Sequence, residues 1–204
     1  MEYYIYDIPV WLTQGLEPGA DISAFCHEVE ETIPQALLKN IDVVYIGSFK
    51  HLKGKNAAYS NGAIYMSCFE PTNFDMLENF VHETAHALED TFGWQIYDDL
   101  MIREFKGKRE RLYQLLKAAG YTVNHLLFKQ IEYNKKFDEY LAFEIGYASL
   151  AAHTTGLFAT PYGATSIQEY FANGFEQYFL DSPRRIQKTS PVLYRKIESV
   201  INEA

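Results

Sequence analysis

Long apolar runs are missing from this sequence. None approaches the roughly 18 residues that a membrane-crossing helix needs, so no transmembrane segment is expected. Cysteine is almost missing: Cys26 and Cys68 are the only two, too few for a disulfide framework. Neither belongs to a Cys-x-x-Cys pair and both sit among apolar neighbours, so buried free thiols with no metal role are expected. Positive charge is also scarce. Lys and Arg number 18 against 27 Asp and Glu, a net charge of −9, which argues against nucleic acid or an anionic membrane as partner. Met1–Asp7 has no basic n-region and no apolar h-region, so it does not read as a signal peptide. The protein is expected to act where it is made unless a leader has been removed. There is no internal repeat, low-complexity tract or linker.

What is present suits one packed domain. The length of 204 residues favours a single domain, and 48% hydrophobic residues against 22% charged supply a core and exclude disorder. The pattern reads as α+β. Tyr3–Val10 reads as a short strand ended by Pro9. Asp21 reads as the N-cap of a helix from Ile22, stopped by Pro34. Ile41–Ile46, β-branched and closed by Gly47, reads as a buried strand. A basic loop, Lys50–Asn56, leads into Ala57–Met66, which carries the hairpin signal Asn61-Gly62. After Gly93 the chain is almost wholly helical. Helices are expected over 98–119, 121–131, 138–152 and 166–180, and from Pro191 to about Ile201. These divide the domain into an N-terminal α/β lobe, about 1–93, and a helical lobe, about 94–204.

The chemistry concentrates in Val81–Leu88, which contains His-Glu-x-x-His. Phe74, Leu77, Val81, Ala85, Leu88 and Phe92 recur at spacings of three and four, so the window predicts a helix from Asn73 to Phe92 with Gly93 as its stop. Residues four apart on a helix lie about 40° apart around the axis and about 6 Å apart along it. His82 and His86 therefore project from one face, as two imidazole ligands of a Zn²⁺ ion do. Glu83, at the edge of that face, stands where a general base can reach a water on the metal without being a ligand. Asp90, one turn past His86, is a candidate to orient that ring through its other N–H.

A catalytic zinc takes three protein ligands. Position 92 is Phe, so the third cannot be the downstream His of a metzincin. Downstream acids, His125 and His153 remain. The acids fall in Asp138–Glu144, with Glu139 and Glu144, and in Gln168–Glu176, with Glu169. Glu169 is favoured modestly: it lies one turn into its helix beside small Ala172. Asn173, four residues on, could accept a ligand histidine's second N–H.

Val81–Asp90 together with Glu169–Phe175 resembles the gluzincin metallopeptidases, in particular the catalytic domain of anthrax lethal factor and the bacterial Pro-Pro endopeptidases. The order strand, hairpin strand, zinc helix is also similar to zincins. The resemblance covers about residues 41–204. It implies a zincin-like metallopeptidase domain, with a small N-terminal sheet, an edge strand over the cleft and a mostly helical C-terminal part. It implies zinc held by His82, His86 and Glu169, with Glu83 as base. It also implies a tyrosine seven residues before the ligand glutamate as oxyanion donor, and that position is Tyr162. The partner it implies is a protein or peptide substrate bound as an extended strand, for which Ala57–Met66 is the candidate edge. The chain departs from the family in a longer gap between His86 and Glu169, and in Asn173, where the family has an acid. No proline specificity is carried over. The expected activity is zinc-dependent endopeptidase. The alternative is a non-catalytic zincin-fold component of a larger assembly, against which the intact Glu83 and Tyr162 speak.

Overall fold

Strand pairing and helix caps follow the local chemistry of the chain in most places, and the exceptions have identifiable causes. The computed structural model describes residues 2–52 and 54–204; Met1, in the opening segment, and Lys53, in the basic loop, lie outside the described residues. The fold is α+β, 61% helical with one small mixed sheet of five strands. Its contacts gather it into two units, Met1–Gly93 with Ala204, and Trp94–Glu203. Among the described residues no helix is long and apolar enough to cross a membrane.

In the first unit the strands are β1 (Tyr3–Ile5), β2 (Ile8–Leu12), β3 (Val43–Gly47), β4 (Ala57–Ser60) and β5 (Ala63–Ser67). Their spatial order is β1-β2-β3-β5-β4. β2, β3 and β5 run parallel, and each edge strand closes an antiparallel hairpin. The segment Tyr3–Val10, expected to be one strand, is thus the β1–β2 hairpin, turning at Tyr6 with φ 53°. Pro9 does not end it. Pro9 faces Tyr4 across a pair that exchanges no main-chain bonds, and the ladder to β3 begins only at Val10, so its missing N–H costs nothing. The Asn61-Gly62 signal holds: both residues have positive φ, 48° and 79°, as a two-residue type I′ turn demands. Ala57–Met66 is therefore two strands, of which only β4 is an edge.

Between β2 and β3 runs helix α1 (Ile22–Thr32), capped by the Asp21 carboxylate on the Ala24 N–H at 2.8 Å. Its Phe25 packs edge-to-face on Phe80 of α2 (Asn73–Ile96), ring centroids 6.0 Å apart. Leu77, Val81, Ala85 and Leu88 are buried as the stripe requires, whereas Phe74 is exposed. Gly93 does not stop α2. The helix continues to Ile96, which is fully buried. Burying one Ile gives about 1.5–3 kcal/mol, more than the roughly 1 kcal/mol a mid-helix glycine costs.

The second unit holds α3 (Asp99–Ala118), α4 (His125–Lys129), α5 (Lys135–Glu139), α6 (Tyr147–Thr154), α7 (Ile167–Leu180), α8 (Pro183–Thr189) and α9 (Pro191–Glu203). The helix expected over 138–152 is interrupted by a π-helical stretch, Tyr140–Gly146, that ends at Gly146 with φ +79°. That conformation breaks the helical register at low cost only for glycine. The short helix α8 is an addition to the expected set.

Three charged side chains of α3 tie this unit together. Glu104 accepts the Val192 and Leu193 N–H groups at the start of α9, at 2.9 and 3.0 Å, where the helix dipole favours an anion. Lys108 donates to the Leu157 and Thr189 carbonyls and to the Ser190 hydroxyl. Burial pushes its pKa down to about 8. Arg109 is 1% exposed. It donates to the Ala164 and Leu127 carbonyls at 2.8 and 2.6 Å, and its guanidinium lies 3.9 Å from the Phe137 ring centroid. Burial pushes its pKa down to about 9, so it is still charged at neutral pH. Arg109→Ala strands these carbonyls and opens a cavity under Phe137. It is expected to cost about 3–5 kcal/mol, read as a lower urea midpoint.

Candidate metal centre

Helix α2 delivers the motif. His82 and His86 are half-buried, with ring centroids 5.1 Å apart and planes at 70°. Thr84, on the opposite face, is fully buried, and its hydroxyl bonds back to the Phe80 carbonyl one turn earlier at 2.8 Å. The carboxylate on His86 is Glu89, not Asp90: Glu89 Oε1 lies 2.8 Å from Nδ1. Glu89 thus holds the ring at Nδ1. Asp90 instead accepts from the Tyr59 hydroxyl at 2.6 Å, one turn further round the helix.

Glu83 is 9% exposed. Its Oε2 accepts the main-chain N–H of Tyr59, on β4, at 2.7 Å.

Helix α7 delivers Glu169. Ser166 caps the helix by accepting the Glu169 N–H at 3.1 Å, which sets Glu169 in the first turn, where the dipole stabilises a carboxylate. Glu169 is 9% exposed, a degree of burial a solvated acid does not reach. Glu139 and Glu144, the competing acids, are exposed, and Glu139 pairs with Lys135 at 3.6 Å. His125 is taken up by Glu110 at 2.6 Å and stacks on Tyr113, and His153 packs near Tyr121. Among the described residues, His82, His86 and Glu169 make up the group able to hold a metal ion.

Tyr162 opens a single 3₁₀ turn, Tyr162–Ala164, just before α7. Asn173 does not serve a histidine through the bonds it makes here. Its oxygen accepts from the Thr160 hydroxyl, and its amide donates to the Glu169 carbonyl at 2.8 Å. It ties the Tyr162 turn to α7 from one side while Arg109 holds Ala164 from the other. Burial raises the Tyr162 phenol far above its ordinary range, with the charges of Glu169 and Asp138 adding to the effect. Asp138 accepts from Tyr133 and Tyr147 at 2.9 and 3.4 Å, and both phenols, burial first among the causes, are pushed up to about 12.

Cys26 and Cys68 are free and buried, and burial pushes the Cys26 thiol up to about 11. Glu89 and Arg109 are the residues sequence reasoning missed. Glu89 had a signal, an acid three residues after a candidate ligand; Arg109 had none. No family model, no curated protein and no solved structure matches this chain.

Proposed function

We propose that this chain is a zinc-dependent endopeptidase of the gluzincin type, with a zincin-like fold, in which His82, His86 and Glu169 hold the metal. The donor set carries the reading: two imidazoles one helical turn apart plus one buried carboxylate, with no thiolate, is what a catalytic zinc takes. The Glu89 bond to His86 supports it, because ligating histidines are usually held by an acceptor at the other ring nitrogen. Zinc bound there would polarise a peptide carbonyl and make a water nucleophilic near neutral pH. Glu83 accepts the proton of the attacking water and returns it to the leaving amine. Tyr162 donates its O–H to the oxyanion of the tetrahedral intermediate. The substrate, a protein or peptide, lies extended along the free edge of β4.

A diverse peptide library incubated with the protein tests the reading. Cleavage that stops with a chelator and returns with zinc supports it; a library left intact in the presence of zinc refutes it. On a cleaved substrate, Tyr162→Phe is expected to lower kcat by about 10²–10³ with KM little changed, since it removes one oxyanion donor and nothing else. Parental kcat in that variant makes Tyr162 a packing residue.

A further inference from the structure

The general base is fastened to the sheet by a strand that the motif does not name. In the β4–β5 hairpin the Ser67 N–H bonds to the Asn56 carbonyl at 2.7 Å, and bonded pairs alternate from there. Ala58 and Ser60 therefore turn their main-chain groups towards β5, while Tyr59 turns its N–H and carbonyl to the free edge. That outward N–H is the one that Glu83 accepts at 2.7 Å. The Tyr59 side chain is locked in its turn. Its hydroxyl donates to Asp90 at 2.6 Å, lies 3.2 Å from the Asn40 carbonyl, and accepts the Gly62 N–H of the hairpin turn at 3.1 Å. Asn40 is itself bound to α2, through the Ala87 carbonyl at 2.7 Å and Thr91 at 2.9 Å. The phenol thus joins the hairpin turn and the end of α2 into one frame, and the N–H that holds Glu83 is fixed within it.

We propose that Tyr59 is a positioning residue for Glu83: its outward main-chain N–H sets the carboxylate, and the clamp of its phenol on Asp90, Asn40 and Gly62 sets that N–H. This rests on the peptidase reading only for its effect on turnover. A second consequence concerns register. A peptide added to the edge of β4 finds the Tyr59 N–H already engaged, so at Tyr59 it has only the carbonyl to pair with, beside the base.

Two measurements on the whole 204-residue chain test this. The first is amide hydrogen exchange at Tyr59 by NMR, which needs no substrate. A slow Tyr59 amide that exchanges about tenfold or more faster in Glu83→Ala supports the contact; an unchanged rate overturns it. The second is kinetic. Tyr59→Phe and Asp90→Ala are each expected to lower kcat about tenfold, the low end for an outer-shell contact, with KM and zinc content unchanged. Asp90→Asn, which keeps an acceptor oxygen, is expected to recover most of the loss. Parental kcat in both Tyr59→Phe and Asp90→Ala, or an Asp90→Asn variant as impaired as Asp90→Ala, overturns the positioning role. A parent that cleaves nothing refutes the peptidase reading instead, and the exchange rate still decides whether Tyr59 holds Glu83.

Discussion

Glu83→Gln is expected to leave the fold and the zinc content as in the parent and, on the proposed peptidase reading, to lower kcat by about 10²–10⁴, the range that a positioned general base contributes. The carboxamide occupies nearly the same volume at a site only 9% exposed, so packing is kept. Its oxygen can still accept the Tyr59 N–H that the carboxylate accepts at 2.7 Å, so the link to β4 survives. What is lost is the ability to take a proton at neutral pH. Circular dichroism, thermal midpoint and zinc content are therefore expected to match the parent while turnover collapses. A Gln variant that retains parental turnover on a substrate the parent cuts removes Glu83 from the mechanism.

Glu169→Ala is expected to weaken zinc binding by at least about 100-fold, beyond the loss that changing an outer-shell partner gives. Glu139→Ala and Glu144→Ala are expected to bind zinc like the parent, because both side chains are exposed. Competition against a chelator of known zinc affinity reads all three variants in one assay. The Glu169→Ala protein should still fold. Ser166 caps α7 through the main-chain N–H of residue 169, and that bond does not need the side chain. If Glu144→Ala strips the metal while Glu169→Ala keeps it, the ligand assignment is wrong.

The parts of the fold that can be read from the sequence are those set by neighbours along the chain. The stripe Leu77–Val81–Ala85–Leu88 marks α2, Asp21 marks the start of α1, and Asn61-Gly62 marks the β4–β5 turn. The misread parts are decided by distant partners. Pro9 reads as a strand end, but it sits where neither neighbouring strand asks for its N–H. Gly93 reads as a helix stop, but the burial of Ile96 carries the helix past it. The candidate site divides in the same way. His82, Glu83 and His86 lie within one helical turn and a half, so their spacing alone puts them on one face. Asp90 and Glu89 stand four and three residues from His86, and only the side-chain rotamers decide between them. The Tyr59 N–H lies 24 residues from Glu83 in sequence, and its outward direction follows from the hairpin register. Nothing in the sequence singles out Arg109 among the charges of α3. Its burial becomes visible only with the Ala164 and Leu127 carbonyls and the Phe137 ring around it.

A catalytic zinc is the claim on which the rest depends. The most direct test is the zinc content of the purified 204-residue chain, counted per polypeptide by mass spectrometry after exchange into buffer with zinc at low micromolar concentration and then into zinc-free buffer. One zinc per chain is expected in the parent. A parent that retains less than about a tenth of an equivalent, where a structural or catalytic zinc site would hold its metal through such an exchange, contradicts the claim.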